Sequence, residues 1–401
     1  MASATTTPAI APSPTLVHLL DDELAFSPTL LGRFSNHLAM ALVALEQLGA
    51  GPDTLEALFA AERTGAHEWR DDRPALDALI AEVARDGIAA AVRAHATALV
   101  EAPNTALFHP LIRLGYALDT GHAGQVAAGL LDGERRRQVL PLPAYRPGTR
   151  RLTDAAVDLA AHPAGTWAES YELDDIARRP ELRAALRGVA YDAHTLDDVA
   201  RFAIEAHVAA DAFVTLHLVT GARALRTVAA WLDPATAQRV AAAAVGPMVV
   251  GYAAVGAPAL LAADELAAIR ALELPSAAAI AERAIGDPDV HVIKLVNAAL
   301  AEEQRTGDLL YRYAAARAVN LVEHQNPPPH PTRRPPSPQT LRGQAGRCAL
   351  VPWHHPGRPQ SDRHTLTIQS VLDSLQTVLA LNAIQLQSHR LSNPQPLELD
   401  T

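Results

Sequence analysis

Lys294 is the only lysine in 401 residues, and the other 33 of the 34 basic side chains are arginine. It lies in the apolar stretch Asp287-Pro288-Asp289-Val290-His291-Val292-Ile293-Lys294-Leu295. Arginine keeps its proton in a protein, whereas a buried lysine can lose it. Codon usage accounts for a shortage of lysine, but not for this exception. A lysine kept here suggests a need for a primary amine. A neutral amine can react with carbon dioxide to give a carbamate, whose anionic oxygen is a metal ligand. A helix lysine that snorkels to solvent is the plainer alternative.

Four of the seventeen histidines sit in apolar helical context: His37, His109, His217 and His291. They are far apart in sequence, so a shared site needs four helices to converge, as happens in bundle cores. His291 and Lys294, at i and i+3, share one helix face. The positive end of a helix disfavours nearby cations and lowers both pKa values. Neutral imidazole is the form that binds metal. Such a set suits Fe, Cu, Ni or Zn. Any one of these histidines is also compatible with a hydrogen-bonded core role. His207 reads as a supporting or structural group. His330, His354, His355 and His364 read as solvated, and Asp192 with His194 as a local Asx turn.

The elements that must position these residues read as helices. Ser35-Asn36 caps a helix from His37 to Leu48, which ends at Gly49-Ala50-Gly51. Pro52-Asp53 starts another. Residues 74–100 form a long Ala-rich helix broken at Gly87. Pro110 fits either the first turn of a helix that ends near Gly121 or a kink that frees a carbonyl. Thr195 with Asp198 resembles a capping box. Phe213 to Trp231 carries His217, and a buried helix with Gly and Pro punctuation lies near 245–261. Asp287 reads as the N-cap of the last helix, with Pro288 in its first turn and its end at Gly307. Strand patterns are scarce, so the fold class is all-α: one large helical domain over 15–325 with a site between helices. Residues 1–14 read as unstructured, 326–363 as a Pro/Arg-rich linker, and 364–401 as a C-terminal helix and tail.

Composition narrows the function. Apolar residues make up 49% and aromatics 4%, so the core is built from Ala, Leu and Val. A net charge of -10 without single-sign runs argues against nucleic-acid or anionic-membrane partners. One cysteine, Cys348, excludes a disulfide framework and Cys-based metal sites. No apolar run is long enough for a membrane span and no signal peptide is evident, so a cytoplasmic location is expected. Oligomeric state stays open. No dinucleotide fingerprint, Walker A, Glu-x-x-His or His-Glu-x-x-His motif occurs.

Ser35-Asn36-His37-Leu38-Ala39-Met40-Ala41-Leu42, His109-Pro110-Leu111-Ile112-Arg113-Leu114-Gly115-Tyr116, Thr215-Leu216-His217-Leu218-Val219-Thr220 and His291-Val292-Ile293-Lys294-Leu295 together resemble the questin oxidase-like family, over about residues 20–320. The resemblance implies an all-α oxygenase acting with O2 on an aromatic polyketide of anthraquinone or anthrone type, with ring cleavage or oxygen insertion. It implies Fe(2+) held by His37, His109, His217, His291 and a carboxylated Lys294, with Lys294 and His291 in catalytic roles. Five ligands leave one octahedral position. The family often has another polar residue or histidine where Arg113 stands. Tyr116, Phe213 and Trp231 are candidate contacts for a planar substrate. Three alternatives stand beside it. One is an NADPH-dependent Baeyer–Villiger-type oxidase, against which the missing nucleotide fingerprint counts. The others are a metal-dependent hydrolase and a non-catalytic helical ligand carrier.

Overall fold

The computed structural model describes residues 11–30, 34–63, 72–144, 148–162, 166–167 and 173–322. All of them belong to one compact unit, Met1–Arg334. The expected linker and C-terminal helix lie outside the described residues. The fold is all-α: eighteen helices are described, and the strands are a single antiparallel pair, Thr29–Leu30 with Phe34–Ser35. None of the described helices is long and apolar enough to cross a membrane. Residues 1–10 of the expected unstructured start lie outside the described residues; its last residue, Pro14, opens a helix, with the Ser13 hydroxyl accepting from the Leu16 amide.

Four helices carry the residues of interest: Leu38–Gln47, His109–Thr120, Phe213–Ala229 and Val290–Thr306. They are called below after the histidine each positions. They pack in a closed ring, the His37 helix on the His109 helix, that on the His217 helix, that on the His291 helix, and the last back on the first. Small residues make the closest contact possible. A Cβ on Gly115 would stand 2.9 Å from Ala224 Cβ and 3.0 Å from Ala224 Cα, so the His109 and His217 helices touch backbone to backbone there. One turn after His217, a Cβ on Gly221 would meet the Phe108 ring at 3.0 Å. Gly115→Val is therefore expected to cost about 1–3 kcal/mol by overpacking. It should also move His109 away from His217, which thermal melts with and without added Co(II) will register.

Several boundaries differ from the sequence reading. His37 stands at the N-cap position and Leu38 opens the helix; the Asn36 side chain accepts from the Leu38 amide at 2.9 Å. Asp289, not Asp287, caps the His291 helix. Asp287 instead accepts from the Asp289 amide at 2.9 Å, forming an Asx turn across Pro288. Thr195 is the first helical residue rather than the cap, and its hydroxyl accepts from the Asp192 amide at 2.8 Å. The 74–100 segment breaks at His95 as well as Gly87, giving Arg73–Asp86, Ile88–Ala94 and Ala96–Glu101. The apolar stretch near 245–261 belongs to a longer helix, Pro234–Ala254, with Pro247 inside it.

Candidate metal centre

The ring brings all four histidines together at helix N-terminal ends. His37 precedes its helix, His109 and His291 lie in first turns, and His217 lies one turn into its helix. His109 Nε2 is 2.8 Å from His37 Nε2 and 3.3 Å from His217 Nε2. Ligand nitrogens of His37, His109 and His291 all lie within 4.8 Å of one another. The His291 ring meets that of His37 at 4.6 Å and that of His217 at 5.5 Å, centroid to centroid. Two nitrogens bound at a right angle to one ion, each about 2.1 Å away, stand about 3.0 Å apart. The His37–His109 and His109–His217 spacings lie on either side of that value.

Three of the four rings have their tautomer fixed from outside. His109 Nδ1 bonds the Ala106 carbonyl, and His217 Nδ1 bonds the Phe213 carbonyl at 2.8 Å. His291 Nδ1 bonds the Asp289 carboxylate at 2.9 Å. Each acceptor requires a proton on Nδ1, which leaves the Nε2 lone pair of a neutral ring facing inward. His109 and His217 therefore point lone pairs at each other across 3.3 Å. No hydrogen bond can relieve that contact unless one ring is an imidazolium. Burial pushes His37, His109 and His217 well below the usual histidine range, and the neighbouring imidazoles and Lys294 push them further. Burial also lowers His291, against the pull of Asp289. A cation placed among them would satisfy inward lone pairs on neutral rings.

Two buried nitrogens at this centre have no partner: His291 Nε2 and Lys294 Nζ. Such orphans are rare in folded proteins, and each calls for an explanation. Lys294 is 1% exposed, and burial brings its amine down to about 7, with Asp289 opposing and Arg113 adding to the shift. Among the described residues, no other group of three His, Cys, Asp or Glu side chains is placed to hold a metal.

The supports are unusual in their own right. Ala106, Leu107 and Phe108 are three consecutive left-handed residues, with φ of 47°, 55° and 66°. Left-handed conformations of this kind cost of order 1–3 kcal/mol each and gather at functional sites. Here they turn the Ala106 carbonyl onto His109. Asp289 both caps its helix and orients His291, since its Oδ1 also accepts from the His291 amide at 2.8 Å. Burial raises the Asp289 carboxyl, but the His291 bonds and nearby charge hold it below its usual value. Asp289→Ala is expected to weaken metal affinity about 10–100-fold, measured by competition with a chelator.

Beneath the histidines a polar layer ties the same four helices. Asn297 donates to Gln47 at 3.1 Å, Gln47 donates to Asp119 at 3.2 Å, and Arg223 bonds both Gln47 and Asp119. Tyr116 Oη stands 3.1 Å from Asn297 Oδ1 and 3.4 Å from the Lys294 carbonyl. Tyr116 is thus a buried strut rather than a substrate contact. Trp231 lies beyond the far end of the His217 helix, away from the centre. Phe213 does reach the centre: its ring lies 4.5 Å from His217 and 4.9 Å from His291, and it is 46% exposed.

Arg113 belongs to the frame that places His37. It is buried against Glu23 at 3.3 Å and donates to the Asn36 carbonyl at 2.8 Å, which fixes the residue before His37. His207 lies outside the cluster, with Nδ1 3.2 Å from the Thr215 hydroxyl, and is structural. His194 accepts no catalytic role, since the Asp192 carboxylate binds its amide at 2.8 Å as a local turn. Of the supports, Asp289 lay in the motif already singled out. Gln47, Asp119, Arg223 and Asn297 leave only the weak signal of polar residues on apolar helix faces.

No family model and no curated protein matches the chain.

Proposed function

We propose that the chain is a mononuclear non-haem iron oxygenase acting on an aromatic polyketide of anthrone or anthraquinone type, as the resemblance to questin oxidase-like proteins implies. The observation that carries it is the set of inward lone pairs on His109, His217 and His291, with their outer nitrogens fixed by acceptors. His37, His109, His217 and His291 would hold Fe(2+), and a carboxylated Lys294 would add an anionic oxygen. Iron supplies the redox chemistry that O2 requires.

The chain's own residues prepare that site. The unpartnered Lys294 amine attacks the carbon of CO2. An N–C bond forms, an electron pair moves from C=O onto oxygen, and one nitrogen proton leaves to solvent. The product is a carbamate of charge −1, and the helix N-termini converging there favour an anion. Asp289 and the Ala106 and Phe213 carbonyls keep the imidazoles in the ligating tautomer. Phe213 offers the exposed ring on which a planar substrate stacks. Phe213→Ala is expected to raise KM for such a substrate about tenfold, within the range for a lost aromatic contact, with Phe213→Tyr restoring it.

The test is O2 uptake by protein loaded anaerobically with Fe(II) and given an anthrone. Uptake without NADPH, abolished in Lys294→Ala, is the expected result. Strict NADPH demand with a single oxygen inserted would instead indicate Baeyer–Villiger-type chemistry. Zinc occupancy with no O2 uptake would indicate a hydrolase. A melting temperature indifferent to Fe(II) would indicate a metal-free carrier.

A further inference from the structure

A second feature stands apart from the metal centre. A cleft of about 730 Å³ lies between the Pro180–Ala185 and Pro234–Ala254 helices and the 101–104 and 140–144 segments; none of the four histidines nor Lys294 lines it. Its size falls within the roughly 300–1,000 Å³ of small-molecule sites.

The wall has a definite chemistry. Its body is apolar, with Leu140, Leu186 and Pro247 among the lining residues. Two arginines, Arg183 and Arg187, stand on one side. Arg183 is held by the Pro141 carbonyl at 2.9 Å, and no carboxylate among the described residues pairs with it. The Arg187 guanidinium has no partner among the described residues. The one carboxylate lining the cleft, Glu101, is already paired with Arg137 at 2.6 Å. In a chain of net charge -10, the cleft is therefore a local concentration of positive charge.

Pro247 adds a third feature. It lies inside its helix and has no amide hydrogen, so the Ala243 carbonyl one turn earlier lacks its helical donor. Ala243 and Pro247 both line the cleft. We propose that this cleft binds an organic acid with an apolar body. Its anionic end would meet Arg183 and Arg187, and its body would cover Leu140, Leu186 and Pro247.

The cleft also touches the support of the metal centre. Asn104 lines it, and the Asn104 carbonyl accepts from the Phe108 amide at 3.2 Å, at the end of the left-handed turn that aims His109. The binding itself stands independently of the oxygenase, because it needs neither metal nor O2.

The experiment is a fluorescence titration of the full, metal-free chain with 8-anilinonaphthalene-1-sulfonate, followed by competition with laurate and with 2-naphthoate. Saturable binding is expected, with displacement by at least one acid and none by neutral 2-naphthalenemethanol. The better competitor separates an aliphatic from an aromatic occupant. Arg187→Glu should weaken binding roughly tenfold by reversing a charge at the ligand's anionic end. Ala243→Trp should abolish it by filling the cleft. Arg187 is exposed, so its variant decides the outcome even where Ala243→Trp fails to fold. Wild-type affinity in Arg187→Glu, unsaturable binding, or equal displacement by the neutral alcohol would overturn the proposal.

Discussion

Lys294→Met is expected to make the metal-free protein more stable while abolishing metal-dependent O2 uptake. The gain follows from the cost of an unpartnered buried amine. Burial takes Lys294 from its ordinary 10.5 to about 7 in the folded chain. The unfolded chain therefore binds more protons than the folded chain between those values, and stability rises with pH across that window. Below about pH 7 the full cost applies, on the order of 5 kcal/mol at 1.36 kcal/mol per pH unit. Above pH 10.5 it is gone. The lowered histidines act in the same direction below their ordinary 6.5, so acid destabilises further. Tyr116, Tyr252 and Tyr311, all raised by burial from 10.0, begin to oppose the trend above pH 10.

Methionine removes the amine at similar volume, and replacing buried charge by apolar groups stabilises by about 1–4 kcal/mol in favourable cases. Urea melts of the metal-free chain in CO2-free buffer from pH 7 to 10 will show this. Wild type should gain stability with pH, and Lys294→Met should be flat and higher at pH 7. A lysine that snorkels to solvent would give equal, flat curves for both.

Arg113→Met should cost about 3–5 kcal/mol, the usual penalty for stranding one partner of a buried ion pair. Glu23 is 1% exposed, and burial already raises its carboxyl despite the Arg113 charge. The same arginine holds the Asn36 carbonyl, and Glu23 accepts from the Asn36 and Gln125 amides at 3.1 and 2.8 Å. Losing Arg113 therefore disturbs the cap that places His37. The double variant Glu23→Leu/Arg113→Met should recover part of the stability by removing the stranded charge. It should not recover metal affinity, because the donor to Asn36 is still missing. A loss below about 1 kcal/mol in Arg113→Met would mean the pair does not hold the site.

Much of the frame was legible from local signals. The His291 helix announced itself through Asp and Pro at its start and Gly307 at its end, where φ is 72°. Sequence alone does not distinguish Asp287 from Asp289 as its cap, because both make Asx-type bonds and only packing decides which one caps. The break at His95 has no local signal; its ring is bonded by Glu82 from the same segment and by Glu134 from the distant helix Ala123–Arg135. The left-handed run at Ala106, Leu107 and Phe108 has no sequence signature; none of these residues favours it, and the close packing of Phe108 on Gly221 holds it. The polar layer is equally non-local. Gln47 and Asn297 are 250 residues apart in sequence and pair only because the ring closes. The four histidines could be nominated from apolar context alone. Their convergence, and the partners that turn their lone pairs inward, required the structure.

The most direct measurement is anaerobic Fe(II) binding by the purified chain in bicarbonate buffer, comparing wild type with His109→Ala. His109 is the hinge of the cluster, with its Nε2 against both His37 and His217. Wild type is expected to retain stoichiometric iron through desalting, with a raised melting temperature, and His109→Ala to retain none. Wild type that emerges metal-free with an unchanged melting temperature, or His109→Ala that holds iron as firmly as wild type, would contradict a metal centre at these histidines.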